Sequence, residues 1–282
     1  MQIIRTTREM RMWSSKAHNT GLKLGLVPTM GFLHEGHLSL VREARNHTDK
    51  VIVSIFVNPT QFAPNEDLDQ YPRDLEGDFT KLRQVGVDAV FCPSPQEIYP
   101  DNYDTYIAPD KLALRLCGKS RPIHFRGVCT VVYRLFQITK CDTAIFGKKD
   151  YQQLQIIKKM VEDLCLDIPI VGGEIVRESD GVAMSSRNKF LNKGEREQAV
   201  ALIQSLSLAQ IAVDQGETSV EKLIEIVKNR IGMEPDATID YVSVVDPCTL
   251  EAKKDLKAPT LIVLAVRIGK TRLIDNQLLN LP

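Results

Sequence analysis

The sequence predicts an α/β protein: a Rossmann-like, doubly wound parallel sheet domain followed by a smaller α+β C-terminal domain with an antiparallel sheet. Apolar, β-branched runs recur between stretches of helical period. Those runs are continuous instead of alternating, as strands covered on both faces require. After about residue 180 the order changes to two helices followed by strand-like runs, the mark of a separate unit.

In chain order, Lys23–Thr29, Val51–Val57, Asp88–Cys92 and Asp142–Phe146 read as buried strands. Leu38, Val41 and Ala44 carry a helix after the first strand. Leu75, Phe79 and Leu82, at i, i+4 and i+7, carry another, with Gly86 as its stop. Further helices are expected from about Gly127 to Thr139 and from about Tyr151 to Leu164. Strand–helix alternation implies right-handed crossovers, and ligands of such sheets bind beyond the carboxyl ends of the strands. In the later part Asn192 caps a helix carrying Val200, Ile203, Leu206 and Ile211. Thr218-Ser-Val-Glu221 reads as a capping box for a helix with Leu223, Ile224, Val227 and Ile231, ended by Gly232. Thr238–Val245, Leu261–Ile268 and Thr271–Ile274 read as strands, and Gly269-Lys270 suits a type II′ hairpin. The expected domains are 1–178 and 179–282.

Lys plus Arg total 36 and Asp plus Glu total 36, so the 282-residue chain has no formal net charge. Proteins that hold nucleic acid usually carry a basic excess, so a nucleic-acid partner is not expected. The N-terminal stretch lacks the apolar core of a signal peptide, and no run approaches the roughly eighteen apolar residues of a membrane span. The six cysteines form no C-x-x-C pair, and they read as buried thiols of a reduced, cytoplasmic protein.

The chemistry concentrates where strands end. V-P-T-M-G-F-L-H-E-G-H, Val27–His37, sets His34 and His37 beside Gly31 and Gly36 at the start of a helix. A helix N-terminus offers unsatisfied N–H groups and partial positive charge, the imidazoles add hydrogen bonds, and the glycines allow close approach. That combination suits gripping a triphosphate and stabilising a pentavalent phosphorus transition state. H-E-G-H is not the H-E-x-x-H of a zinc protease. After the fourth strand, F-G-K-K-D-Y-Q-Q places Lys149 to reach polyphosphate, Asp150 to hold a ribose hydroxyl or hydrated Mg²⁺, and Gln153 to meet a small polar ligand. S-D-G-V-A-M-S-S-R-N, Ser179–Asn188, offers two hydroxyls and Arg187 in a small-residue loop suited to a hinged lid over phosphates. Asn58 and Gln61, after the second strand, suit a compact polar substrate, and Arg126 suits a carboxylate.

Together with the Asp67–Asp74 stretch D-L-D-Q-Y-P-R-D, I-Y-P at Ile98 and H-F-R-G-V-C-T at His124, these motifs resemble the pantothenate synthetase (pantoate–β-alanine ligase) family over nearly the whole chain. H-x-G-H alone is shared across the wider nucleotidyltransferase superfamily. The resemblance implies an ATP- and pantoate-binding first domain, a C-terminal lid domain, a homodimer, and ATP with Mg²⁺ as substrate. It implies that pantoate and β-alanine are joined through a pantoyl adenylate. Met30, Gly31, Phe32, Leu33, His34, Glu35, Gly36 and His37 would form the first ATP segment, with His37 as proton donor. Gly147, Lys148, Lys149, Asp150, Val176, Met184, Ser185, Ser186 and Arg187 would supply the others. His37, His34, Lys149, Ser185 and Arg187 would act in catalysis. Gln61, Gln153 and Asn58 would contact pantoate, and Gln61 also β-alanine. The family often has G-E-K-D or G-Q-K-D where this chain has Gly147-Lys148-Lys149-Asp150, so Lys148 either strengthens phosphate attraction or points to solvent. The alternatives are another H-x-G-H nucleotidyltransferase acting on a small phosphate ester, and a binding module without turnover.

Overall fold

The computed structural model describes residues 1–64, 66 and 68–281, so Asp67, which opens the D-L-D-Q-Y-P-R-D stretch, lies outside the described residues. The chain forms two compact units. The first comprises Met1–Leu114, Gly118–Lys148 and Gln153–Glu174; the second comprises Arg115–Cys117, Lys149–Gln152 and Ile175–Pro282.

The first unit is built on a six-stranded parallel sheet of order β1-β4-β3-β2-β5-β6. Its strands are β1 (Gln2–Ile4), β2 (Leu24–Thr29), β3 (Lys50–Ile55), β4 (Ala89–Phe91), β5 (Thr143–Gly147) and β6 (Ile170–Gly173). The helices are α1 (Thr7–His18), α2 (Glu35–His47), α3 (Leu75–Gln84), the short α4 (Pro95–Ile98) and α5 (Cys117–Ser120), α6 (His124–Thr139) and α7 (Tyr151–Asp163), of which Cys117 and the first two residues of α7 belong to the second unit. The four expected strands are present. β1, α1 and β6 were not expected: β1 and β6 are short and each buries only its last residue, whereas the equally short β4 is buried throughout and lies in a continuous apolar run. α1 does carry a legible start, since the Thr6 hydroxyl accepts from Glu9 N–H at 3.2 Å and Glu9 accepts from Thr6 N–H at 3.3 Å. Val27, Val53, Val90 and Ile145 from four neighbouring strands pack with Leu40, Val41, Phe79 and Leu82 from α2 and α3.

Asp88 ties β3 to β4. It accepts from Lys50 Nζ at 2.8 Å, Arg45 Nη2 at 2.7 Å and Val51 N–H at 2.9 Å. Burial raises its pKa, but these donors outweigh burial and hold the carboxyl below its ordinary value. A depressed folded pKa stabilises above the unfolded value and is lost as pH falls through the folded one. Asp88→Asn should therefore cost about 1 kcal/mol at neutral pH, and the deficit should shrink below pH ~4. Denaturant titrations of both proteins at two pH values check this.

The second unit holds the antiparallel sheet β7 (Ala237–Val245), β8 (Thr260–Ile268) and β9 (Thr271–Leu279). Two helices, α8 (Lys193–Asp214) and α9 (Val220–Gly232), pack on it through Leu202, Leu206, Leu223 and Val227 against Ile262, Leu264 and Val266. Asn192 caps α8 as expected. The cap of α9 is Ser219, not Thr218, because Glu217 accepts from the N–H groups of both and turns the chain one residue later. Gly269 has φ +55° while Lys270 has no positive φ, which fits the type II′ turn. β9 runs to Leu279, five residues past the expected Ile274, because the polar Asp275-Asn276 interrupts its apolar pattern without ending its pairing.

The cysteines depart from expectation in part. Cys92, Cys129 and Cys141 are buried, and burial pushes their thiols up to about 11, 12 and 12. Cys165 and Cys248 are exposed, in turns that follow α7 and β7.

Candidate active site

The strand order reverses between β2 and β5, which lie side by side through Gly25↔Thr143 and Leu26↔Ala144. The crevice beyond the carboxyl ends of two such strands is where doubly wound sheets bind ligands. β2 delivers Met30–His34 there and β5 delivers Gly147 and Lys148, so two motifs from distant parts of the sequence arrive at one switch point.

The loop after β2 is rigidly held. Gly31 has φ +82° and Phe32 φ 51°, a left-handed pair that turns the chain sharply before α2. A Cβ on Gly31 would lie 2.9 Å from Ile55 Cγ2 and 3.1 Å from Asp78 Oδ2. The Asp78 carboxylate accepts from Phe32 N–H at 2.8 Å and Leu33 N–H at 2.7 Å, and Lys81 Nζ donates to the Leu33 carbonyl at 2.8 Å. Burial pushes the Asp78 carboxyl above its ordinary range, and the N–H groups of Leu33 and Phe32 pull it back only in part. His34 is the N-cap of α2, and His37 stands in its first turn. The two rings lie 4.1 Å apart, and His37 Nδ1 accepts from His34 N–H at 3.3 Å. An accepting Nδ1 puts the proton of the neutral ring on Nε2. Neither ring sits in the core: both are half-buried. Glu35 turns outward to ion-pair with Arg42.

A second polar group follows β3. Asn58 Nδ2 donates to Gln61 Oε1 at 3.0 Å and to the Gly127 carbonyl at 3.1 Å, while Asn58 Oδ1 accepts from Thr60 at 3.0 Å and Tyr99 at 2.9 Å. These four bonds use the whole capacity of the amide. Asn58, expected to touch pantoate, is thus committed inside the protein. Its effect is on Gln61: with Oε1 accepting, the Gln61 amide must present Nε2, which donates to Met30 Sδ at 3.3 Å. The Gln61 carbonyl accepts from His124 Nδ1 at 3.0 Å. Thr60, Tyr99, His124, Gly127 and Asp78 had no assigned role in the sequence reading. Tyr99, His124 and Gly127 lay in quoted motifs, but their value comes from contacts 41 or more residues away. Arg126, expected to meet a carboxylate, is exposed and stacks 4.7 Å over Tyr106.

Lys148 pairs with Glu174, which neutralises the charge that distinguishes this chain from the commoner family pattern. Gly147 is half-buried, as is Gln153 on α7. In the second unit Lys149 is largely buried and lies 4.0 Å from the more exposed Asp150. Val176–Met184 forms a small hairpin, with Met184 N–H bonded to the Val176 carbonyl at 2.9 Å and an Arg177↔Ala183 bridge. Ser185 caps the 3₁₀ turn Ser186–Phe190, accepting from Arg187 N–H at 3.3 Å. The small-residue loop is therefore a braced hairpin and turn. Among the described residues no three His, Cys, Asp or Glu side chains converge as a metal site, and no helix is long and apolar enough to cross a membrane.

Residues 2–278 match the family model for pantoate-beta-alanine ligase. A pantothenate synthetase of Syntrophotalea carbinolica is 51% identical over 276 residues, covering 98% of each chain. One of Acetivibrio thermocellus is also 51% identical over 276 residues, with the same coverage. The crystal structure of pantothenate synthetase from Thermus thermophilus superposes with a TM-score of 0.92 at 40% identity, covering 98% of this chain and 99% of that one. The pantoate-beta-alanine ligase of Francisella tularensis, complexed with beta-gamma ATP and beta-alanine, gives 0.81 at 38% identity, covering 99% of this chain and 97% of that one. With a family model spanning nearly every residue and half the positions identical in full-length relatives, the chain belongs to the pantoate–β-alanine ligase family.

Proposed function

We propose that this protein condenses (R)-pantoate with β-alanine to (R)-pantothenate, consuming ATP and releasing AMP and pyrophosphate. The observation that supports this best is the pairing of β2 and β5 at the switch point, with the H-x-G-H loop leaving one strand and Gly147-Lys148 the other, in a chain of this family.

A free carboxylate is a poor acyl donor, so it is first activated. A pantoate carboxylate oxygen attacks the α-phosphorus of Mg-ATP, the bond to the β-phosphate oxygen breaks, and pyrophosphate leaves with the electron pair. The neutral amine of β-alanine then attacks the acyl carbon, AMP departs, and the new amide nitrogen loses a proton. His34 and His37 at the α2 N-terminus bind the phosphates, and His37 Nε2–H donates toward the charge that develops there. Lys149, Ser185, Ser186 and Arg187 add donors to the nucleotide, with Gly147, Asp150, Val176 and Met184 alongside. Gln61 Nε2 and Gln153 hold pantoate, Gln61 also meets β-alanine, and Asn58 acts by fixing the Gln61 amide. Lys148 is assigned to Glu174 and not to phosphate. We further propose that Mg²⁺ arrives with ATP, that the working form is a homodimer, and that the protein acts in the cytoplasm.

Purified protein given Mg-ATP, pantoate and β-alanine, with each omitted in turn, should yield AMP and pantothenate only in the complete mixture by mass spectrometry. A product that keeps its nucleotide, with no AMP, would replace this reading with a nucleotidyltransferase. ATP binding without any turnover would replace it with a binding module.

A further inference from the structure

We infer that the adjacent pair Asp275-Asn276 on β9 positions two separate nucleotide-binding segments, the Lys149 turn and the hairpin that carries Met184–Arg187. The inference rests on the assignment of those segments to ATP and adds the residues that hold them.

Both side chains are buried, Asp275 at 3% and Asn276 at 6% exposure, in the middle of a strand whose partners on β8 are Leu264 and Val263. Burying a carboxylate and an amide beside aliphatic neighbours is unfavourable unless each is bonded. The bonds found here lead to the same function by two routes. Asp275 holds the Arg177 guanidinium with both oxygens, at 2.6 and 3.0 Å. Arg177 is in the first arm of the hairpin, bridges to Ala183, and donates to the Gly181 carbonyl at the tip at 3.1 Å. One carboxylate thus fixes the hairpin that ends at Met184, directly before the serines. Asn276 Nδ2 donates at 3.0 Å to the backbone carbonyl of Lys149, which lies 127 positions earlier in the sequence. Asp275 Oδ1 also accepts from Asn276 N–H at 2.8 Å, so the two anchors are coupled. Successive residues of a strand face opposite sides, so β9 reaches one segment from each side. Pairing with β8 is unbroken from Thr271 to Leu279, so the strand is held on both sides of the pair.

A packing role alone would not need polar atoms here; apolar residues at both positions would fill the sheet. Neither residue touches substrate in this scheme: they are positioning residues, and their loss should appear in ATP affinity before it appears elsewhere. Asn276→Ala deletes one neutral hydrogen bond and should weaken ATP binding about fivefold. Asp275→Asn breaks a bidentate, charge-assisted pair and should weaken it about tenfold or more. Gln210→Ala serves as the comparison, because Gln210 ties α8 to the far end of β9 through Asn280 and reaches neither segment.

The experiment measures the ATP dissociation constant by titration calorimetry, KM for each substrate, kcat and the melting temperature in all four proteins. The expected result is a raised Kd and KM for ATP in the Asn276 and Asp275 variants, with pantoate and β-alanine KM little changed, while Gln210→Ala lowers only the melting temperature. Unchanged ATP affinity in folded Asn276→Ala overturns the inference, as does a uniform rise of all three KM values matched by Gln210→Ala. If Asp275→Asn does not fold, Asn276→Ala decides alone. Wild type that binds ATP but makes no pantothenate refutes the functional reading, while the calorimetric comparison still decides this one.

Discussion

His37→Ala should lower kcat/KM for the complete reaction by on the order of 10²–10³-fold, and the loss should fall on adenylate formation. The attacking pantoate carboxylate carries no proton, so the first step needs no general base. What develops is negative charge on the departing pyrophosphate. In the proposed role His37 donates to that charge: Nδ1 accepts from the His34 N–H, leaving Nε2 as the protonated nitrogen, and the ring stands in the first turn of α2. The substitution also removes an acceptor from one backbone N–H, which is worth about 1 kcal/mol. A 10²–10³-fold loss corresponds to about 3–4 kcal/mol, so the structural cost cannot account for it. Supplying chemically made pantoyl adenylate with β-alanine should bypass the defect. His37→Gln should recover part of the rate if hydrogen-bond donation is the role, and none if proton transfer is required. Equal slowing of both half-reactions in His37→Ala would mean the residue acts by shaping the loop.

Sequence patterns that depend on neighbours in the chain were legible. The four expected buried strands, the helices after them and the Asn192 cap all announce themselves through apolar runs, periodicity and capping chemistry within a few residues. So did the site loops, because His34-His37 and Gly147-Lys148-Lys149-Asp150 follow apolar runs directly. What was not legible depends on partners far away in sequence. Asn58 reads like a substrate-binding amide until Tyr99 and Gly127 are seen to use its oxygen and its nitrogen. Lys148 reads as either a phosphate ligand or a solvent-facing charge until Glu174, 26 residues on, is found beside it. Asp275 and Asn276 read like the end of a strand, because a pattern of apolar residues cannot show that a buried carboxylate has its guanidinium waiting 98 positions earlier. Asn58 and Lys148 stand out in the sequence while Asp275 and Asn276 do not, and for all four the pairing that decides the role lies beyond the reach of a local pattern.

Gly127→Ala should destabilise the protein and impair pantoate use together, although helix propensity alone predicts the opposite. Gly127 lies inside α6, where replacing glycine by alanine ordinarily stabilises by about 1 kcal/mol. Here a Cβ would meet the Thr60 carbonyl oxygen at 2.4 Å, the Thr60 carbonyl carbon at 2.5 Å and the Gln61 nitrogen at 2.6 Å. All three are backbone atoms of the turn that carries Gln61, so no side-chain rotation relieves the contact. Either α6 or that turn must move, and overpacking of this kind costs about 1–3 kcal/mol, enough to reverse the propensity gain. Movement would also stretch the 3.1 Å bond from Asn58 to the Gly127 carbonyl and so release the amide that sets the orientation of Gln61. A displacement of about 1 Å at a substrate-positioning group can cost 10²-fold in rate. The expected result is a lower melting temperature and a fall of at least about tenfold in kcat/KM for pantoate, with ATP binding retained. A variant that melts higher than wild type with an unchanged KM for pantoate would show that α6 and the turn yield freely, and that Gln61 does not depend on their contact.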